Sequence, residues 1–149
     1  TLIAGPLMDV ELSEALAIRA RKSGAIHRDS VPDVPALLAT TDLFITMGGY
    51  NSITETLVMG CPAVVVPRVG PSGEQRLRAE RLQALGLATI VWRHELTAAR
   101  MATALTSRPM VPAAALGVAF DGASVAAAHI ATVLADAMQP NRCEVPFDA

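Results

Sequence analysis

The sequence predicts an α/β fold, a Rossmann-like doubly wound parallel sheet covered by helices. Short apolar runs alternate with helical patterns along the whole chain, which is the element order of such a sheet. The composition agrees, because 52% of the 149 residues are hydrophobic and only 3% are aromatic. A core of Ala, Val, Leu and Ile is typical of parallel strands buried on both faces. We assign residues 1–138 to this domain and residues 139–149 to an irregular C-terminal tail.

The predicted strands are short apolar runs bounded by polar residues, glycine or proline. The runs at 42–46 and 63–67 are the clearest, and both suit buried parallel strands. The chain opens on another run with no lead-in. The full set of predicted strands is 1–5, 25–27, 42–46, 63–67 and 88–92.

The predicted helices lie between these strands and carry recognisable end signals. Asp33 and Thr97 are good N-caps, since their side-chain oxygens can accept hydrogen bonds from the first-turn amides. Gly24 and Gly86 follow helices as C-terminal stops. Helix 74–85 has the clearest apolar stripe. The full set of predicted helices is 13–22, 34–39, 50–59, 74–85, 97–105 and 123–138.

Composition also excludes several classes of function. The formal net charge is −2 and no dense Lys/Arg face is visible, so nucleic acid is not expected as a partner. Lys22 is the only lysine, so a phosphate site must use backbone amides, hydroxyls or arginine. Cys61 and Cys143 make neither a disulfide framework nor a metal-ligand spacing, and a reducing cytoplasm is the default expectation. No apolar stretch is long enough to span a bilayer.

The stretch 41–75 carries the strongest candidate site. A strand, two glycines and a helix follow one another, which places Gly48, Gly49, Asn51 and Ser52 between a strand end and a helix N-terminus. Free N–H groups and the helix dipole favour a phosphate there. A plain strand-to-helix turn would also use glycine, and the glycines alone leave both interpretations open.

Glu55, Glu74 and Gln75 could bind a ligand, but their spacing also fits a purely structural role in helix capping. The spacing from Ser52 to Glu55 fits a capping box, but a carboxylate one turn into this helix could also bind the vicinal hydroxyls of a ribose. The spacing from Ser72 to Gln75 repeats the ambiguity, because Glu74 and Gln75 could hold sugar hydroxyls at a helix start. Spacing alone favours the capping role at both places.

The remaining polar candidates have ordinary interpretations. His27, His94 and His129 are scattered and are expected at the surface or at helix caps. Arg68 is expected to be a solvated loop residue. The arginines of helix 74–85 are expected to form a solvated face; they are Arg76, Arg78 and Arg81.

The arrangement of these motifs resembles a known family. The segment 49–55 reads GYNSITE, and it is followed by Gly60-Cys61-Pro62, by Pro67 and by Glu74-Gln75. This order is similar to the sugar-nucleotide signature of two-domain B-fold (GT-B) glycosyltransferases. The resemblance extends to plant and mammalian UDP-glycosyltransferases and to the bacterial N-acetylglucosaminyltransferases that build the peptidoglycan precursor.

The resemblance implies a role for each matched residue. Gly49, Asn51 and Ser52 would contact the nucleotide phosphates, together with the turn at Gly48. The same resemblance implies that Glu55 would bind the ribose, Glu74 and Gln75 the donor sugar, and the backbone of Val31 the base. One departure is Met47, which stands where the plant enzymes have a phosphate-binding histidine and cannot donate that hydrogen bond.

The resemblance also implies an activity and its missing parts. The chain would be the donor-binding part of a glycosyltransferase that moves a sugar from a nucleotide sugar, expected to be a UDP sugar, to an acceptor hydroxyl. No metal and no cofactor besides the donor are expected. The first strand of the domain would be missing, along with the acceptor-binding N-terminal domain that supplies the general base. No catalytic residue is therefore expected in this chain, and alone it is expected to be inactive.

Two alternatives remain open. One is a sugar-nucleotide epimerase or hydrolase on the same fold, and the other is a non-catalytic nucleotide-sugar-binding subunit that needs a partner chain. A cytoplasmic location is expected, with room for peripheral membrane contact. The identity of the sugar, the acceptor and the stereochemical course do not follow from the sequence.

Overall fold

The computed structural model describes residues 1–68, 70, 73–106 and 117–138, and the structural statements below refer to these residues. The chain divides into two compact units, Thr1–Pro112 and Ala113–Ala149. The predicted tail at 139–149 lies outside the described residues. Helices and parallel strands alternate as predicted, which confirms the α/β fold class.

The strands occupy the predicted places but are shorter than predicted. All pairings between them are parallel, and the ladder falls into two parts, β1 with β2 and β3 with β4 and β5. Single hydrogen bonds continue beyond the paired residues; for example, the Val66 N–H donates to the Thr46 carbonyl at 2.8 Å. The bounds are β1 Leu2–Ile3, β2 His27–Arg28, β3 Phe44–Thr46, β4 Ala63–Val65 and β5 Thr89–Ile90.

The helices match the predicted ones within a few residues. Asp33 accepts a hydrogen bond from the Ala36 N–H at 2.9 Å, and Thr97 accepts one from the Arg100 N–H at 3.1 Å, which confirms both predicted caps. The first helix begins earlier than predicted because Asp9 caps it. The bounds are α1 Val10–Lys22, α2 Val34–Leu38, α3 Tyr50–Met59, α4 Glu74–Ala84, α5 Ala98–Thr106 and α6 Gly122–Ala137, with a 3-10 turn at Arg93–Glu95.

The core of the first unit is built around β4. All three of its residues are buried, and Val64 packs with Val91 and Ala104 in an aliphatic cluster. A strand that pairs on both edges and is covered on both faces has no exposed backbone or side chain. The loops that leave β3 and β4 are therefore held on a rigid base. No helix among the described residues is long and apolar enough to cross a membrane.

Gly48 forms the turn that leads from β3 into α3, and it must be glycine for two reasons. Its φ is +81°, in the left-handed region that favours glycine. A Cβ atom at this position would also lie 2.9 Å from Cγ1 of Val65 in the buried strand β4. The close approach of the turn to β4 thus depends on the missing side chain.

Replacing Gly48 with alanine tests this packing. We expect Gly48→Ala to lower the free energy of unfolding by roughly 2–4 kcal/mol, because the strained φ and the overlap with Val65 add together. Gly60→Ala is the matched control, since Gly60 has a φ of +65° but open space around its Cβ position. We expect that control to lose only about 1 kcal/mol. Urea denaturation followed by circular dichroism measures both, and equal losses would contradict the packing argument.

Candidate functional site

The first turn of α3 presents unpaired amides at the carboxyl end of β3. The helix begins at Tyr50 with Gly49 as its N-cap, and no side chain caps it. The N–H groups of Tyr50, Asn51 and Ser52 therefore have no acceptor within the helix. Together with the positive end of the helix dipole, they form an environment suited to an anion.

The start of α3 rules out the capping-box alternative for Glu55. Ser52 is the third residue of the helix rather than its N-cap, and Glu55 is the sixth. A capping box requires its acidic member at the third position. The Glu55 side chain is half-buried, and no described residue gives it a hydrogen bond or an ion pair. Its carboxylate therefore remains available to a ligand.

Gly48 uses both of its polar backbone atoms inside the protein. Its N–H donates to Oγ1 of Thr46 at 3.2 Å, and its carbonyl accepts from Nη1 of Arg78 at 2.8 Å. Gly48 therefore shapes the turn, and its own N–H and carbonyl are not free for the phosphate contact that the sequence predicts. The predicted phosphate residues Gly49, Asn51 and Ser52 lie together on this segment.

Arg78 is a structural part of the site that the sequence analysis missed. The prediction of a solvated face is wrong for this residue, whose side chain is only 18% exposed. Besides the Gly48 carbonyl, its guanidinium contacts the Glu74 carboxylate in an ion pair and lies 5.7 Å from the centre of the Tyr50 ring. The guanidinium therefore joins the start of α4 to the glycine turn and the start of α3.

Glu74 and Gln75, the two residues predicted to bind the donor sugar, are the first two residues of α4. The N-cap of α4 is Gly73, which has no side chain, so the predicted capping pair with Ser72 is wrong; Ser72 itself lies outside the described residues. Oε1 of Gln75 accepts a hydrogen bond from the Arg68 N–H at 3.1 Å. Glu74 is exposed but held by Arg78. Both side chains are thus positioned by neighbours and reach toward the carboxyl ends of β3 and β4.

Val31 precedes α2, away from the glycine turn in sequence. Its side chain is half-buried, and neither its N–H nor its carbonyl has a hydrogen-bond partner among the described residues. α2 packs against α3, which carries the other predicted residues. The packing of α2 against α3 therefore connects the segment that begins just after Val31 to the helix that carries the other predicted residues.

Among the described residues, the cysteine and histidine side chains do not form a catalytic group. Burial raises the pKa of the Cys61 thiol, and the nearby Asp42 carboxylate raises it further, so this buried thiol is a poor nucleophile. His27 is partly exposed, but its Nε2 is buried and lacks a partner among the described residues. Among the residues that the structure describes, no group of three His, Cys, Asp or Glu side chains could hold a metal ion.

The role of Arg78 can be tested by comparing it with Arg76 on the same helix. Arg78→Ala leaves the Gly48 carbonyl and the Glu74 carboxylate without their partner, and we expect a loss of about 1–3 kcal/mol in unfolding free energy. Arg76 forms an exposed ion pair with Glu80, so Arg76→Ala is expected to cost at most about 0.5 kcal/mol. Thermal and urea unfolding measure both; a smaller loss for Arg78→Ala than for Arg76→Ala would contradict this role.

The chain is similar in sequence to known glycosyltransferases. The chain is 38% identical over 78 residues to NDP-glycosyltransferase YjiC of Bacillus subtilis (strain 168), covering 52% of this chain and 19% of that protein. It is 31% identical over 119 residues to the UDP-N-acetylglucosamine--N-acetylmuramyl-(pentapeptide) pyrophosphoryl-undecaprenol N-acetylglucosamine transferase of Corynebacterium efficiens, covering 74% of this chain and 33% of that protein.

A solved structure of another glycosyltransferase is also similar to this chain. The crystal structure of the glycotransferase of kitacinnamycin matches with a TM-score of 0.51 and 32% identity, over 61% of this chain and 23% of that chain. The chain thus spans a third or less of the length of these relatives. The glycosyltransferase family 28 C-terminal domain matches residues 22–113, well over half of the sequence. The chain belongs to the glycosyltransferase family 28 C-terminal domain family, and the GT-B resemblance predicted from the sequence is confirmed.

Proposed function

We propose that this chain binds the donor of a glycosyltransferase, that the donor is a UDP sugar, and that the sugar passes to an acceptor hydroxyl. The observation that carries the proposal is the half-buried, unpartnered carboxylate of Glu55, one turn beyond an uncapped helix N-terminus. A phosphate at the amides and a diol at the carboxylate are the two polar ends of a ribose phosphate. The curated relative from Corynebacterium efficiens carries a UDP sugar in its name, which supports the choice of UDP.

The diphosphate would bind at the segment that begins with the glycine turn. Gly48 shapes the turn, while the amides of Gly49, Asn51 and Ser52 and the Ser52 hydroxyl donate hydrogen bonds to the phosphate oxygens. The chain has one lysine, Lys22 in α1, so these neutral donors and the helix dipole carry most of the binding. Each hydrogen bond to a charged group contributes about 1.5–3 kcal/mol, so a few of them hold a diphosphate without a lysine.

The rest of the donor would extend in two directions from the phosphates. Glu55 accepts two hydrogen bonds from the ribose hydroxyls, and the free N–H and carbonyl of Val31 pair with the edge of the base. On the other side, the Glu74 carboxylate accepts hydrogen bonds from the sugar hydroxyls. The Gln75 side-chain amide donates hydrogen bonds to these hydroxyls and accepts from them. Arg78 holds Glu74 in place for this contact.

The chemistry assigned to this chain is stabilisation of the leaving group. When the bond between the sugar and the diphosphate breaks, negative charge grows on the phosphate oxygens next to the α3 amides. Preorganised donors aimed at that charge lower the barrier without a change in their own positions. Deprotonation of the acceptor requires a general base, which we assign to an acceptor-binding domain or partner chain, and the contact with that partner is part of the proposal.

Glu55 gives the sharpest test of donor binding. We expect Glu55→Gln to weaken UDP binding roughly tenfold, because an amide oxygen accepts hydrogen bonds less strongly than a carboxylate. The melting temperature should stay nearly unchanged, since no described residue depends on this carboxylate. Calorimetric titration measures the dissociation constant, and Glu14→Gln, an exposed change on α1, serves as the control.

The nucleotide itself provides the second arm of that test. Deoxyuridine diphosphate lacks one of the two hydroxyls that Glu55 is proposed to bind, so it should bind the unchanged chain more weakly than UDP does. In Glu55→Gln the two nucleotides should bind more nearly alike, because the group that distinguishes them is weakened. An unchanged preference for UDP in the variant would refute the assignment of Glu55 to the ribose.

A further expectation concerns activity. The chain alone should bind UDP yet consume no UDP sugar, because it lacks an assigned general base and acceptor site. Incubation with a UDP sugar and simple alcohols, followed by chromatographic measurement of released UDP, checks this. Release of UDP in proportion to the amount of the unchanged chain would overturn the assignment of the base to another domain.

A further inference from the structure

A second concave site lies beside the loop that joins β4 to α4. It is a cleft with a volume of about 470 Å³, a size that admits a small organic molecule. It opens where the chain leaves β4 at Pro67 and β5 at Trp92. The side chains that matter for its chemistry are Arg68, Arg76, Glu80, Trp92, Arg93 and His94.

The cleft is positively charged although the chain as a whole is acidic. Arg76 is neutralised by its ion pair with Glu80, at 2.8 Å. The guanidinium groups of Arg68 and Arg93 are exposed, and no described residue pairs with them. Two guanidinium groups without an ion-pair partner among the described residues therefore belong to the lining of this cleft, in a chain of net charge −2. Such a concentration of positive charge favours an anionic ligand.

Trp92 supplies an apolar surface in the same cleft. Its ring is half-buried, and its backbone N–H donates to the Glu95 carboxylate at 3.2 Å, which fixes the start of the 3-10 turn. The planar fork of donors on a guanidinium group matches pairs of oxygen atoms on phosphate and carboxylate groups. A ring or carbon skeleton attached to the phosphate can lie against the indole.

The cleft differs from the proposed donor site in its lining residues, although the two adjoin where the Arg68 N–H donates to Oε1 of Gln75. On α4, Glu74 and Arg78 face the glycine turn, whereas Arg76 and Glu80 face the cleft. Glu55 and the first turn of α3 do not line it. The two sites thus use different sides of the same helix, and the second does not depend on the function proposed for the first.

We propose that this cleft binds an organic phosphate, with the phosphate group between Arg68 and Arg93 and the carbon skeleton against Trp92. A phosphorylated sugar is the chemical class that fits the volume, the charge and the aromatic wall together. The ligand is bound without covalent change.

The experiment uses the fact that Trp92 is the only tryptophan in the sequence. Its fluorescence is excited selectively at the red edge, where the single tyrosine, Tyr50 at the glycine turn, does not absorb. We expect glucose 1-phosphate to change this fluorescence in a saturable way and glucose to have no effect. Arg68→Gln and Arg93→Gln should each weaken the apparent affinity about tenfold. Arg81→Gln, an exposed change on α4 outside the cleft, is the matched control.

Any one of the following results would overturn the proposal. No saturable change with glucose 1-phosphate, or equal affinities for the Arg68, Arg93 and Arg81 variants, would show that the cleft does not bind the phosphate. An equal affinity for citrate would show that it selects charge alone. Loss of the signal in Glu55→Gln would show that the ligand binds at the donor site. Far-UV circular dichroism of each variant verifies that these exposed substitutions leave the fold intact.

Discussion

The hydrogen bond from Arg78 to the Gly48 carbonyl is the interaction on which the site depends. It joins residues thirty positions apart and links the turn after β3 to the helix after β4. A carbonyl in a left-handed glycine turn cannot enter the strand ladder, and leaving it buried without a donor would cost about 1–3 kcal/mol. The same guanidinium holds Glu74, so a single side chain orients the candidate sugar-binding carboxylate relative to the candidate phosphate turn.

The elements were predictable where the sequence carries end signals. Helix α3 has the predicted bounds because Gly49 and Gly60 flank it, and α2 and α5 begin at their predicted caps. The strands were predicted too long, because an apolar run shows burial but not where the parallel ladder ends. The predicted start of α1 at residue 13 is wrong because Asp9 caps the helix and adds three residues before it.

The sequence predicts which residues of the candidate site lie on the same segments, but not the contacts between those segments. A spacing of three residues from Ser52 to Glu55 fits both a capping box and a ligand-binding pair, and only the position of the helix start separates them. Arg78 was assigned to a solvated face because helical periodicity does not reveal which loop packs against that face. The spacing of four residues between Glu74 and Arg78 was a signal for their ion pair, but nothing local points to Gly48.

The long reach of the Arg78 contact has a consequence for biosynthesis. As the chain leaves the ribosome, the glycine turn and the first turn of α3 emerge well before α4, and β4 gains its second neighbour only when β5 has appeared. Parallel pairings and contacts distant in sequence form late in folding. The glycine turn therefore spends part of synthesis without the arginine that holds it, and a pause in translation between α3 and α4 would leave it exposed to chaperones and proteases.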